Sequence, residues 1–180
     1  MTRRKGFTLV ELLIVVVIIG VLSSMMSISS VESTDSAKVA AIINNLRTMK
    51  TSALALYIDS ADFASFYGAT SISIPNDENE AKSNKGFTAL AKYMGTTPAA
   101  LFKSNYGLVA DSSKGWYVFY KLTDKDDNFT INSNTRTKLK DNAETIGLLG
   151  VASSVPAPAA DYETLYDGST SHKFIFLRVK

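Results

Sequence analysis

The pattern of hydrophobic positions divides the chain into an apolar run and a mixed remainder. From Phe7 to about Ile28 nearly every position is apolar or small, and Glu11 is the only charged side chain between Lys5 and Glu32. A helix of this length, at 1.5 Å per residue, covers the roughly 30 Å hydrocarbon core of a bilayer. The run therefore predicts a membrane-spanning helix from Phe7 to Ile28.

An amphipathic pattern follows without a break. Apolar residues recur at spacings of three and four, as on one face of a helix, and the opposite face is mostly polar. The apolar stripe comprises Val39, Ile42, Leu46, Met49, Ala53 and Leu56, and the opposite face carries Lys38, Ala41, Asn45, Thr48 and Ser52. A coiled-coil seam is the alternative, but the stripe lasts too few heptads without charged flanks, so packing on a globular core is favoured.

These two patterns predict one helix over residues 7–58, apolar over 7–30 and amphipathic over 31–58. No proline precedes Pro75, and Gly20 is the only glycine between Phe7 and Tyr57. Glycine costs about 1 kcal/mol relative to alanine in a helix, and serine can bond back to the preceding turn. Gly20 and the serine-rich stretch 23–30 are therefore the weakest places of this helix, and the sequence leaves open whether it melts there.

The region after the helix contains short, weaker patterns. Residues 59–115 are irregular and link the helix to a sheet, with two short helical patterns at Phe87–Met94 and Pro98–Phe102. Proline suits the first position of a helix, so Pro98 marks a start. A surface helix is predicted from Thr135 to Gly147, and a loose segment begins at Pro156.

Residues 116–180 carry the strand signals. The segment from Trp116 to Leu122 is rich in aromatic and β-branched residues and is predicted to be a central strand, with Trp116, Val118, Tyr120 and Leu122 on one face. A turn, a returning strand at Phe129–Asn132 and a last strand at Lys173–Val179 follow. We therefore predict an α+β fold, with a long N-terminal helix packed on a small antiparallel β-sheet.

Composition and charge narrow the function classes. The net charge is +2, and three positive charges lie together at Arg3, Arg4 and Lys5, so the body carries no basic patch of the kind that binds nucleic acid. This cluster on one side of the apolar run, with acidic residues on the other, predicts a cytoplasmic N-terminus. The chain has no cysteine, which excludes disulfides, thiolate metal sites and a cysteine nucleophile.

No constellation of catalytic, cofactor-binding or metal-binding residues is predicted. The acidic cluster Asp77, Glu78 and Glu80 is interpreted as a solvated loop, and His172, the only histidine, as a surface polar residue. Asp124, Asp126 and Asn128 match the opening spacing of a calcium loop, but Phe129 and Thr135 stand where the loop needs glycine and glutamate. A plain hairpin turn is therefore favoured there.

Glu11 is the residue that requires an explanation. An ionised side chain at the centre of a spanning helix costs about 2.5–3.5 kcal/mol, and less near an end, so Glu11 needs a partner or a function. A charge that snorkels to the membrane surface is the plainest alternative. A cleaved secretory signal peptide would hold no such charge in its apolar segment, and residues 23–27 lack an Ala-x-Ala site.

The segment Lys5-Gly-Phe-Thr-Leu-Val-Glu-Leu12 resembles the processing site of type IV prepilins and pseudopilins. The resemblance implies that residues 1–6 are a leader, that a prepilin peptidase cuts between Gly6 and Phe7, and that the new amine of Phe7 is methylated. It also implies that Glu11 pairs with the Phe7 amine of a neighbouring subunit, although a pair within one chain, one helical turn apart, competes. Many type IV pilins carry a proline where Ile28 stands here.

The resemblance further implies a structural, non-enzymatic subunit that polymerises with itself into a pilus, with roles such as adhesion and motility. The expected partners are the prepilin peptidase, an inner-membrane assembly platform and a cytoplasmic assembly ATPase, with the membrane holding the precursor. Three alternatives remain open: a periplasmic pseudopilin of type II protein secretion, a minor tip or DNA-uptake pilin, and a membrane-anchored binding module or enzyme with an uncleaved helix.

Overall fold

The computed structural model describes residues 7–59, 71–72, 75–111, 115–124, 126–151 and 164–179, and within the helix it leaves out the side chains of residues 24–31. The predicted leader, residues 1–6, and the predicted loose segment at Pro156 lie outside these residues. The chain divides into two compact units, Met1–Ala37 and Lys38–Lys180.

A single helix, α1, runs from Leu9 to Asp59, so it begins in the first unit and ends in the second. This confirms the long N-terminal helix that the two hydrophobic patterns predict. The stretch from Gly20 to Ser30, for which the sequence leaves melting open, is helical throughout. One glycine without a nearby proline costs too little to interrupt a helix that is otherwise rich in apolar residues.

The second unit contains an antiparallel β-sheet. In the described residues its strands are β1 (Ser71–Ile72), β2 (Tyr106–Asp111), β3 (Gly115–Lys121), β4 (Leu148–Val151) and β5 (Phe174–Arg178). They lie in the order β1-β2-β3-β5-β4, and every neighbouring pair is antiparallel. The predicted central strand and last strand are confirmed as β3 and β5, and the fold class is α+β as predicted.

The part of α1 in the second unit packs on one face of this sheet. All six residues of the predicted apolar stripe are buried, as is Ile43 beside them. The ring of Tyr57 meets that of Trp116 edge to face, with centroids 5.2 Å apart. Asn45 Nδ2 donates a hydrogen bond to the Tyr106 hydroxyl at 3.2 Å. The stripe is therefore a core-packing face, as predicted, and the coiled-coil alternative is not needed.

The opposite face of the sheet is buried as well. Phe119 lies three residues after Trp116 in an unbroken strand, so its side chain points to the other face. There its ring contacts Phe87, with centroids 6.5 Å apart. Gly107 pairs with Phe119, and a Cβ at Gly107 would lie 2.3 Å from the Phe87 ring. Glycine at this position lets the Phe87 ring approach the sheet closely.

Three short helices supply this second layer: α2 (Glu78–Ser83), α3 (Lys85–Tyr93) and α4 (Pro98–Lys103). The last two confirm the predicted patterns, and α4 begins with Pro98 behind the N-cap Thr97. The interpretation of the acidic cluster as a loop is wrong. Asp77 caps α2 by accepting hydrogen bonds from the Asn79 and Glu80 N–H groups, which is the capping chemistry that aspartate favours.

The acidic residue that follows this cap is held by two cations. Glu78 forms ion pairs with Lys82, one turn along the same helix, and with Lys103 of α4, at 3.0 and 2.9 Å. These ammonium groups, Lys103 first, lower the pKa of Glu78. The pairs are exposed, so they mainly set the position of α2 against α4 and contribute little to stability.

The helix predicted at Thr135–Gly147 is confirmed as α5 (Ser133–Ile146). It is capped by Asn132, whose side chain accepts a hydrogen bond from the Thr135 N–H, and it ends at Gly147 in a left-handed conformation, φ 75°. It also buries Leu139 and Ala143, so it covers part of the core. Gly147 serves here as the usual glycine that terminates a helix.

The returning strand predicted at Phe129–Asn132 is wrong. Only an isolated bridge joins Phe129 to Thr123, and the chain then enters α5 through its cap. The physical reason is that β2 and β5 already occupy both edges of β3, which leaves no edge for a further strand. The prediction of an irregular region also missed β2, whose Tyr-Gly-Leu-Val-Ala-Asp sequence is extended through its pairing with β3.

Candidate functional site

The N-terminus of α1 is closed by a reciprocal pair of hydrogen bonds between Thr8 and Glu11. The Thr8 hydroxyl oxygen accepts from the Glu11 N–H at 3.2 Å, and Glu11 Oε2 accepts from the Thr8 N–H at 2.8 Å. The Thr8 hydroxyl also donates a hydrogen bond to Glu11 Oε2, at 2.8 Å. The Thr8 carbonyl accepts the first bond of the helix from the Leu12 N–H. Thr8 is thus the N-cap of a capping box.

This arrangement gives Glu11 a partner within its own chain. The donors to its carboxylate in the described residues belong to Thr8, one residue after Phe7, and the helix N-terminus favours a negative charge at this position. Glu11, for which the sequence shows no evident partner, therefore has a hydrogen-bonding partner in its own chain. Sequence reasoning missed Thr8, although the spacing Thr-x-x-Glu ahead of an apolar run is the recognised signature of a capping box.

Behind this cap, α1 exposes apolar side chains on all sides. Every large apolar residue from Phe7 to Leu22 is exposed, from 49% at Val15 to 88% at Phe7. The run Leu12–Ile19 covers more than two helical turns without a polar residue, so no face is reserved for water. A helix that is apolar all round belongs in lipid or among other helices.

Membrane crossing was predicted for the segment from Phe7 to Ile28. Within the described residues, no helix combines the length and the hydropathy that crossing a bilayer requires. The predicted span continues beyond Ser23, where the side chains lie outside the described residues.

In the turn after β3, the side chain of Asp124 is hydrogen-bonded to backbone N–H groups of the turn. Asp124 Oδ1 accepts hydrogen bonds from the N–H groups of Asp126 and Asn128, both at 2.9 Å, and Asp127 takes a left-handed conformation. These donors, that of Asn128 first, lower the pKa of Asp124. Among the residues that the structure describes, no group of three or more acidic or histidine side chains is placed to hold a metal ion.

The Asp124 turn leads to a prediction about acid stability. Since the folded state lowers the pKa of Asp124, the carboxylate contributes stability above the pKa of the unfolded chain, about 4, and loses it as the pH falls through the lower folded value. Asp124→Asn keeps an acceptor but removes this titration. We expect its urea midpoint to fall less than that of the wild type between about pH 6 and about pH 3.

The measurement uses the full chain in non-ionic detergent, with Asp126→Asn as the matched control. That variant removes a charge from the same turn but leaves the two bonds to Asp124 Oδ1 in place. An equal effect of the two substitutions would show that net charge, and not the hydrogen bonds of Asp124, governs the acid response.

His172 is buried and pairs with the exposed Asp167, so its interpretation as a surface residue is wrong. It is only 9% exposed, and its Nδ1 lies 2.9 Å from Asp167 Oδ1. The imidazole packs over β4 at Gly150, where a Cβ would lie 2.8 Å from the ring. Tyr166 packs against it, and burial raises the pKa of Tyr166 to about 12. The missing side chain at Gly150 provides the space that buries the histidine.

Comparison with known proteins finds a family match at the N-terminus of the chain. Residues 1–27 match the prokaryotic N-terminal methylation motif, and this stretch includes Gly6, Phe7, Thr8 and Glu11. No curated protein and no solved structure matches the chain significantly. The motif is the prepilin signal that type IV pilins and pseudopilins share. The chain thus carries a prepilin-type signal ahead of an α+β body.

Proposed function

We propose that this chain is a structural subunit of a type IV pilus, cut by a prepilin peptidase and polymerised through its N-terminal helix. The observation that carries the proposal is the apolar surface of α1, exposed on all sides and beginning directly behind the cleavage point of a methylation motif. A water-soluble enzyme has no use for such a surface, whereas a helical polymer buries it between subunits.

Processing supplies the charge chemistry of the proposed polymer. Hydrolysis of the Gly6–Phe7 peptide bond adds water across it and releases a Gly6 carboxylate and a Phe7 ammonium group. Methylation of that nitrogen keeps its positive charge. The mature chain would therefore begin with a cation four residues before Glu11.

Glu11 is proposed to bind the Phe7 amine of the adjoining subunit. Both hydrogen bonds from Thr8 end on Oε2, and a carboxylate accepts through both of its oxygens, so Oε1 offers a place for the incoming cation. In a water-poor bundle of helices such a charge-assisted bond is strong, and a subunit in the wrong register would leave it unmade.

Before assembly the precursor is proposed to lie in the inner membrane with a cytoplasmic N-terminus. Burial of apolar surface stabilises by about 25 cal/mol per Å² when the surface leaves water. Lipid already shields the helix, so the gain on entering the filament is smaller. An assembly platform and a cytoplasmic ATPase are the expected sources of the work of extraction.

A periplasmic pseudopilin of type II secretion is the second candidate, because the methylation motif serves both classes. The sequence after Asp124 favours the pilus, because Phe129 and Thr135 stand where a calcium loop needs glycine and glutamate.

Two measurements on the native cell test the proposal. Mass spectrometry should find a chain that begins with methylated Phe7, and an antibody to this protein should label long fibres in sheared surface material under the electron microscope. A mature chain that still begins at Met1 or Thr2 would refute processing and favour a simple membrane anchor. Processed protein without labelled fibres would favour the pseudopilin.

A further inference from the structure

We propose that Thr8 acts as a helix stop that keeps the scissile Gly6–Phe7 bond outside α1 and accessible to the peptidase. Thr8 is a positioning residue in this proposal, since it acts through its hydrogen bonds to Glu11 at the end of the helix. The inference rests on the proposed function, because it assumes that this bond is the one that is cut.

The helix begins at Leu9, two residues after Phe7, whose nitrogen belongs to the proposed scissile bond. The first bond of the helical ladder runs from the Leu12 N–H to the Thr8 carbonyl, and Phe7 precedes the helix with its side chain 88% exposed. The Thr8 hydroxyl satisfies the Glu11 N–H, which would otherwise seek a carbonyl one turn earlier.

Without this cap, the helix could grow by about two residues at its N-terminus. The carbonyl of Gly6 would then accept the Val10 N–H in the ladder, because helical bonds join residue i to residue i−4. Hydrolysis requires water to add to that carbonyl carbon and the C–N bond to Phe7 to break. A carbonyl held inside a helical turn must first be released, so only the open fraction of molecules would be a substrate.

The two halves of the capping box then have separable roles. The Thr8 hydroxyl, which accepts the Glu11 backbone N–H, sets the end of the helix and serves cleavage. The Glu11 carboxylate, which is proposed to bind a neighbouring amine, serves assembly. Glu11→Gln retains the backbone N–H and a side-chain acceptor, so the helix stop should survive in that variant.

The test measures the initial rate at which prepilin peptidase in membranes cuts the full-length precursor, followed by the loss of residues 1–6. Thr8→Val keeps the shape of the side chain but removes the hydroxyl, and valine is a poor N-cap. We expect cleavage to slow about fivefold, the factor that corresponds to the loss of ~1 kcal/mol typical of a helix cap. Thr8→Ser should cleave at the wild-type rate.

Two further variants separate the helix stop from direct recognition of the hydroxyl by the peptidase. Thr48→Val is the matched control, because Thr48 lies exposed on the same helix and its hydroxyl bonds to the Asn44 carbonyl at 3.0 Å. The double variant Thr8→Val with Leu9→Pro places proline at the first helical position, where it stops the helix without a hydroxyl. We expect it to recover the wild-type rate.

The outcomes distinguish the inference from the function on which it rests. Wild-type cleavage in Thr8→Val would overturn the helix stop and leave the proposed function intact. Slow cleavage that Leu9→Pro does not restore would also overturn it, since the peptidase would then read the hydroxyl itself. If the wild-type precursor is not cut between Gly6 and Phe7, the proposed function fails.

Discussion

Replacing Glu11 with alanine is expected to reduce filament yield about tenfold or more, while cleavage at Gly6 and membrane insertion continue. The expected magnitude follows from the type of bond that is lost. A hydrogen bond to a charged group contributes about 1.5–3 kcal/mol, and about 1.4 kcal/mol is a factor of ten in an equilibrium. A neighbour's Phe7 ammonium left unpaired among apolar helices adds a desolvation cost.

The measurement compares the sheared filament fraction with the total processed subunit. Glu11→Gln separates charge from hydrogen bonding, because glutamine can still accept from Thr8 but cannot neutralise an ammonium group. Glu144→Gln is the control, since Glu144 lies exposed on α5 and its replacement removes one charge far along the chain from the site. Abundant, wild-type-like filaments from Glu11→Ala would contradict the proposed pairing.

Sequence predicts best the elements that have a long hydrophobic pattern and that bury the residues which this pattern places on one face. The stripe of α1 spans about five turns, so an error at one position does not change its period, and all of its residues are buried. β3 is recognised because its aromatic and β-branched residues fit a buried strand. In both elements local preference and tertiary packing agree.

The elements that sequence reasoning missed depend on partners distant along the chain. β2 contains glycine and alanine, which favour strands weakly, and it is extended because β3 pairs along it and the Phe87 ring packs on Gly107. β4 owes its place at the sheet edge to β5, across a long connection. Contacts of this kind are not visible in a window of neighbouring residues.

The candidate site shows a different kind of omission. The motif around Gly6, Phe7 and Glu11 is readable because its residues are adjacent, and the cost of a buried charge directs attention to Glu11. The Thr8 hydroxyl carries no charge and was missed, although the Thr-x-x-Glu spacing is just as readable in the sequence. His172 could not have been placed, because its burial depends on the absence of a side chain at Gly150.

Phe119→Ala is expected to destabilise the second unit by about 3–5 kcal/mol, a large share of the roughly 5–15 kcal/mol typical of a domain. Phe119 is 3% exposed, and its ring meets those of Phe174 and Phe176 with centroids 5.7 and 5.8 Å apart, in addition to Phe87. Truncation removes all of these ring contacts and leaves a cavity between them. Partial collapse of Phe87 into the space sets the lower end of the range.

Urea unfolding of the full chain in non-ionic detergent measures this loss, with Trp116, the only tryptophan, as the fluorescent reporter. Trp116 lies on the opposite face of β3, so it reports unfolding of the sheet without touching the substituted ring. Leu54→Ala on the exposed face of α1 is the control and should change stability by less than about 0.5 kcal/mol. If Phe119→Ala costs no more than this control, the second helical layer is not part of the cooperative core, and the sheet is stabilised from the α1 side alone.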